Sequence, residues 1–264
     1  MQLRVSGVID NQKEEQMDSK RASIEKYFMS KFPKWAIFLI VIGVLMLLGP
    51  AIAKLLGLLM VAGGGFAIFK STQIASDAQI DEWTQEELNS LSKRSLEKMG
   101  IDSSEIVSEG VIITGPRLSN LGPAKFGFRK GKDNILRFTP VNSTIINFAQ
   151  NQLLVYRCAL DLITGNPVNE ATDEYFYRDV VSVQTSSETI SVSLPGTALQ
   201  GLQCNAAETF KLTTSGGTSV SMALRDPSLI QKMGGGEIPT TTAERAIQTI
   251  RKMLREKKGA VAAV

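Results

Sequence analysis

Residues 31–70 read KFPKWAIFLIVIGVLMLLGPAIAKLLGLLMVAGGGFAIFK, and the way this stretch folds decides where the rest of the chain resides. Among the 35 residues between Lys34 and Lys70, only Lys54 is charged. As one helix they would extend about 52 Å, against a hydrocarbon core of about 30 Å. A single span is therefore too long. Gly49-Pro50 stands near the middle and is a natural helix break. The arms on either side, 35–49 and 53–69, would each be about 25 Å long as helices. A two-helix transmembrane hairpin is predicted, helped by modest bilayer thinning. Lys54 then lies near the far headgroups, where its amine can snorkel to water. A re-entrant hairpin that returns from within the bilayer fits the same residues.

Charge sets the sidedness. Lys20, Arg21, Lys26, Lys31 and Lys34 precede the hairpin and Lys70 follows it, while the turn region carries only Lys54. The positive-inside rule places both flanks in the cytoplasm. Small residues let helix backbones approach closely in lipid. Gly43, Gly57, Gly63, Gly64 and Gly65 are thus candidates for packing between the arms or between several hairpins.

The 264 residues leave room for one or two domains beside this segment. Residues 1–70 hold nine Lys/Arg and five Asp/Glu, whereas 71–264 hold twenty and twenty-one. The basic excess is adjacent to the apolar stretch, where anionic headgroups would meet it. The remainder is near neutral, which disfavours a nucleic-acid partner. There is no histidine, so Ser–His–Asp and Cys–His catalysis and His-ligated zinc are excluded. Cys158 and Cys204 form no CxxC pair, and spacing does not decide between a disulfide and two buried thiols.

Residues 1–34 form a basic amphipathic leader and not a cleaved signal, because the apolar run starts late and is too long for one. Within it Met17, Ile24, Tyr27 and Phe28 share one face of a helix that fits the membrane interface and a solvated leader equally well. Residues 70–102 combine a polar linker with a juxtamembrane helix stopped by Gly100. From residue 103 to 258 the period becomes strand-like. EGVIITG, ILRFTPV, STIINFA, QLLVYRCALDLI, YFYRDVVSVQT and TISVSLP read as strands. Leu154, Tyr156, Cys158, Leu160 and Leu162 share one face of the fourth of these. TFKLTTSGGTSVSMALRD reads as a hairpin turning at Gly216-Gly217. A helix over 241–258 begins with capping-box spacing at Thr241 and Glu244 and aligns Ala243, Ile247, Ile250 and Leu254 on one face. Lys257 and Lys258 suit its C-terminal end, Gly259 is its expected stop, and 259–264 is a tail.

The predicted class is α+β: a transmembrane hairpin, then a cytoplasmic, mostly antiparallel sandwich or small barrel closed by a helix. Short antiparallel strands, the strand YFYRDVVSV, a Gly-Gly hairpin and the helix AERAIQTIRKMLREKK follow in an order that resembles the pleckstrin-homology-like domains of bacterial membrane-anchored proteins. The resemblance covers about residues 130–258. It implies that the final helix plugs one end of a bent barrel, and that the domain binds or scaffolds and does not catalyse.

Motif chemistry is sparse. No Walker A loop, HExxH or GxSxG occurs, and no cofactor or metal is implied. The glycines of MVAGGGFAIF lie in the membrane segment, and KMGGGEIP reads as a flexible linker. One cluster could touch an anionic headgroup: Lys125, Arg129, Lys130 and Lys132 in the loop NLGPAKFGFRKGKDN, with Phe126 and Phe128 interleaved; a solvated loop whose phenylalanines pack inward, or a contact to single-stranded nucleic acid, fits the same residues. Tyr175, Tyr177, Arg178 and Asp179 could recognise a peptide, although alternation on a strand explains them as well. The expected work is interaction at the bacterial inner membrane, in a stress or defence assembly. The partners are anionic lipid, a protein, and further copies of the chain. The alternatives are an oligomeric pore-forming effector built on the Gly-rich hairpin and an enzyme that uses carboxylates alone.

Overall fold

The computed structural model describes residues 2–30, 33–239 and 241–262 and falls into two compact units, Met1–Ser76 and Asp77–Val264.

The first unit is helical: α1 (Gln2–Met29), α2 (Lys34–Met46) and α3 (Ala51–Thr72). In α1, Ile24, Tyr27 and Phe28 are buried while Met17 is 57% exposed. The rings of Tyr27 and Phe28 meet edge-on, 5.1 Å apart. Lys26 Nζ donates to the carbonyl oxygens of Lys70 (2.8 Å) and Gln73 (2.5 Å) at the end of α3. A cation there satisfies orphan acceptors and complements the negative helix end. Helices α2 and α3 run antiparallel, since Gly43 faces Gly57 and Val61 while Ala36 and Ile40 face Gly64.

The break between these helices falls at Leu47–Pro50, and this corrects the expected arms of 35–49 and 53–69. Proline offers no N–H and disfavours helical backbone in the residue before it, so the first helix ends ahead of Gly49-Pro50. Pro50 itself becomes the N-cap of α3. The arms are consequently unequal: 13 residues, about 20 Å, against 22 residues, about 33 Å. Among the described residues, α3 is the one helix long and apolar enough to cross a membrane by itself.

The second unit is α+β. It opens with α4 (Asp77–Met99), which ends as expected at Gly100, where φ is +66°. Nine strands follow among the described residues: β1 (Ile106–Pro116), β2 (Gly127–Lys130), β3 (Leu136–Thr139), β4 (Val141–Ala149), β5 (Gln152–Asp161), β6 (Asn166–Phe176), β7 (Val180–Ser191), β8 (Gln203–Thr214) and β9 (Ser219–Arg225). Two helices complete it, α5 (Pro227–Lys232) and α6 (Thr241–Ala262). Strand order is β1-β4-β5-β6 in one sheet, β2-β3 in a second and β7-β8-β9 in a third, all paired antiparallel. Strands β1 and β9 approach closely, and a Cβ on Gly115 would collide with the carbonyl of Ala223.

The core lies between the four-stranded and three-stranded sheets. Ile113, Ile146, Phe148, Leu153 and Val155 face Phe210, Leu212, Val220, Met222 and Leu224. Helix α6 fills the remaining side with Ala243, Ala246, Ile247, Ile250 and Leu254. The apolar stripe read from its sequence is therefore the face that packs.

Several strand boundaries differ from the sequence reading. YFYRDVVSVQT is not one strand: β6 ends at Phe176, a 3-10 turn spans Tyr177–Asp179, and β7 begins at Val180. Aromatic and β-branched residues favour extended chain locally, but here the chain passes from one sheet to another. TISVSLP is no separate strand, because its first residues continue β7 past an irregularity between Glu188 and Ile190. Strand β5 is buried on both faces, Leu153 and Val155 inward, Leu154, Tyr156 and Cys158 outward. Helix α6 continues through Gly259 to Ala262 instead of stopping at 258. A glycine permits a helix stop without imposing one, and alanines favour continuation. The side chains of Thr241 and Lys258 lie outside the described residues.

Candidate functional site

Of the four basic residues singled out in sequence, Arg129, Lys130 and Lys132 belong to a β-hairpin, and Lys125 stays in the loop that leads into it. Strand β2 pairs with β3 so that Phe128 opposes Phe138, Arg129 opposes Arg137 and Lys130 opposes Leu136. Lys125 precedes β2 and Lys132 stands in the turn. Lys125, Lys130 and Lys132 are exposed, and Arg129 is half-buried. The rings of Phe126 and Phe128 lie 6.1 Å apart and tilted.

Acids stand among these bases. The Lys132 backbone N–H donates to Asp77 Oδ2 at 2.8 Å. Arg137, almost fully buried, donates through Nε and Nη2 to both oxygens of Asp81, each at 2.7 Å. Its Nη2 also reaches Asp133 at 2.6 Å. Hydrogen bonding from Arg137, first among the causes, holds the Asp133 carboxyl down at about 2. Lys130 Nζ donates to the carbonyl of Gly234 at 3.0 Å.

The Gly234–Gly236 segment, expected to be a flexible linker, is stitched to this hairpin. The Leu136 N–H donates to the Glu237 carbonyl (2.8 Å), and the Glu237 N–H donates to the Asn134 carbonyl (2.9 Å). The three glycines have φ of +94°, +71° and +119°, and a Cβ on Gly236 would meet Asn134 O at 2.8 Å. Glycine is required there by conformation and by close approach.

Helix α4 is latched over the outer face of the four-stranded sheet, an arrangement with no signal in the sequence. Asn147 Nδ2 donates to Ser95 Oγ at 3.1 Å. Arg94 and Lys98 grip Glu170 at 2.9 and 3.0 Å, and the Tyr156 hydroxyl donates to the same carboxylate at 2.6 Å. Burial alone would raise the Glu170 pKa; hydrogen bonds from Tyr156, Arg94 and Lys98 together outweigh it and hold it down at about 2. Burial pushes the nearby Cys158 thiol up to about 11, so it is a poor nucleophile. Cys158 and Cys204 are free and buried. Among the described residues no group of Cys, Asp and Glu gathers as a metal site.

The tyrosine set divides. Tyr175 and Tyr177 enter the core, and the Tyr177 hydroxyl donates to the carbonyl of Ala149 at 2.8 Å. Arg178 is exposed, its guanidinium carbon 5.4 Å from the centre of the Phe176 ring. Just beyond lies a groove that sequence reading missed, about 470 Å³ in volume, walled by Val180–Val183 of β7 and by Arg251, Leu254 and Arg255 of α6. Arg251 and Arg255 occur one helical turn apart in the sequence, but nothing local marks β7 as its neighbour. A second depression of about 760 Å³ lies by Ser186, Ser187, Gln231, Glu208 and Arg225, and there the Arg225–Glu208 pair (2.7 Å) neutralises itself.

In the helical unit the five glycines separate into two groups. Gly43, Gly57 and Gly64 face the α2–α3 contact, whereas a Cβ on Gly63 or Gly65 would meet nothing within 4 Å. No protein-family model, curated protein or solved structure matches this chain.

Proposed function

We propose that this chain is a membrane-anchored interaction module of the bacterial inner membrane. Helices α2 and α3 enter the bilayer as a hairpin, and the unit from Asp77 is a cytoplasmic pleckstrin-homology-like domain that holds a protein partner or senses the membrane surface. The observation that carries the anchoring is the outward surface of these helices. Phe38, Leu45, Ile52, Leu55, Leu59, Phe66 and Phe69 are exposed, and Leu48 at the tip is 85% exposed. A contiguous apolar surface of this extent is costly in water and favourable in lipid. The domain assignment is supported by element order: a four-strand meander carrying an inserted β2–β3 hairpin, a three-strand meander, then a helix in the core between them.

Interaction in place of catalysis is supported by what the second unit presents. Glu170, Asp81, Asp133, Asp173 and Glu208 are held in ion pairs and Cys158 and Cys204 are buried, while an uncharged strand edge and a basic groove stay open. Lys125, Arg129, Lys130 and Lys132 remain the candidate contacts to anionic headgroups, moderated by Asp77, Asp81 and Asp133 beside them. The test is fractionation with topology mapping. The chain should stay in the membrane pellet through alkaline extraction, and reporters joined at residues 10 and 264 should both report cytoplasm. Release by alkali, or reporters on opposite sides, would refute the anchoring scheme. Gly63 and Gly65, open on the outward side of α3, favour a second reading in which hairpins assemble into a pore. That reading requires leakage on overexpression that Gly63→Leu and Gly65→Leu abolish.

A further inference from the structure

The chain leaves two strand edges at the crossing from β6 to β7, and it treats them differently. Strand β6 carries Pro167, Glu170, Asp173 and Glu174, the residues that block pairing with another chain. From Val180 to Ser187, β7 holds neither a proline nor a charge. Val181 is 61% exposed on it.

The direction of the β7 backbone is fixed by two contacts. The Ser186 carbonyl accepts from Thr209 Oγ1 of β8 at 3.2 Å, so residue 186 faces its partner strand. The Val183 carbonyl is approached from the other side by Arg251 Nη2, at 3.5 Å. Residues of opposite parity present their N–H and C=O to opposite sides of a strand. The backbone groups of Val183 and Thr185 accordingly face the open edge, beside the 470 Å³ groove that α6 walls on its far side.

The charge of that wall selects the occupant. Arg251 and Arg255 line the groove, no carboxylate lines it with them, and among the described residues no salt bridge is formed by either. Residues four apart on a helix are about 6 Å apart along its axis, and residues two apart on an extended strand are about 6.6 Å apart. Two acidic side chains separated by one residue match the two guanidiniums.

We propose that the edge of β7 accepts an extended segment of a protein partner by strand addition, with carboxylates at alternate positions paired to Arg251 and Arg255. Backbone hydrogen bonds to Val183 and Thr185 supply affinity, and the arginines supply selectivity. This rests on the interaction-module reading and names its surface.

The experiment uses the full chain in mild detergent and a labelled peptide carrying Asp-Val-Asp between threonines and valines. Fluorescence anisotropy should show saturable binding, at least tenfold weaker for the Asn-Val-Asn counterpart. Arg251→Gln with Arg255→Gln should weaken it tenfold or more, as should Val183→Pro, which deletes an outward N–H that β8 does not use. If Val183→Pro fails to fold by near-ultraviolet circular dichroism, the arginine pair and Val181→Glu decide. Absence of saturable binding, equal binding of the asparagine peptide, or indifference to the variants would overturn the site. So would a concentration-dependent dimer lost in Val183→Pro, because a second copy would then own the edge. A partner cross-linked in membranes that persists in the Arg251→Gln, Arg255→Gln chain would overturn this surface and leave the module reading standing, whereas alkaline release would strike the module reading itself.

Discussion

Gly43 and Gly57 meet backbone to backbone where α2 crosses α3: a Cβ on Gly57 would lie 2.5 Å from the Gly43 carbonyl oxygen, and one on Gly43 would lie 2.7 Å from that of Gly57. A carbonyl within a helix cannot swing aside, so the helices must part to admit even a methyl. Gly57→Ala should lower the midpoint of heat-induced aggregation of the detergent-solubilised chain. Gly63→Ala, with open space around it, should hold or raise that midpoint, because alanine is preferred over glycine in a helix by about 1 kcal/mol. Equal effects at the two positions would contradict the assigned faces.

Ile250 is fully buried in the core between the sheets. Ile250→Ala should cost about 2–5 kcal/mol, the range for truncating a buried large aliphatic. Lys252→Ala, on the exposed face of the same helix, should change stability by less than about 0.5 kcal/mol. Urea unfolding followed by circular dichroism separates the two, and an unchanged midpoint for Ile250→Ala would mean that α6 does not dock.

The Glu170 carboxyl is held at about 2 in the folded chain against an ordinary value of 4.5. A depressed folded pKa means that the unfolded chain takes up the proton first on acidification. The stabilisation from this group is therefore complete above about pH 4.5 and is lost as the pH falls towards 2. Asp133, held at about 2 by Arg137, acts in the same direction. Melting temperatures measured down from neutral pH should fall steeply through that window. In Glu170→Gln the melting temperature should be lower at neutral pH and the acid slope shallower.

Helix α4 covers the side of the sheet that carries Tyr156 and Cys158. A fragment of residues 77–264 should keep the Cys158 thiol unreactive towards a maleimide in native buffer. A fragment of residues 103–264, without that cover, should label rapidly at Cys158 and bind a hydrophobic dye. Slow labelling in both would show that α4 is dispensable for the sheet.

What the sequence disclosed follows from the range over which each signal acts. The β8–β9 hairpin was legible because alternation and a glycine sit side by side, and Gly217 does take φ of +81°. Helix α6 was legible because Ala243, Ile247, Ile250 and Leu254 repeat at a helical period and all pack. Strand β3 was legible within ILRFTPV, whereas β2, four residues of which half are basic, read as loop. The break at Tyr177 was hidden because strand-favouring residues continue through it. Burial of β5 on both faces depends on α4, which lies more than fifty residues earlier in the chain. The groove beside β7 joins residues near 181 to residues near 251, and no local pattern encodes such a meeting.

The core helix α6 follows the nine described strands, which has a consequence for biosynthesis. While the ribosome is still adding residues before 243, the two sheets lack the wall that holds Phe210, Leu212 and Val155 away from water. The apolar α3 has by then long emerged, since chains are delivered from the N-terminal end at about 5–20 residues per second. Under the anchoring proposed above, insertion into the bilayer precedes completion of the domain by about ten seconds or more at that rate. The nascent strands then fold already tethered to the membrane surface, which favours closure within one chain over encounters between unfinished neighbours.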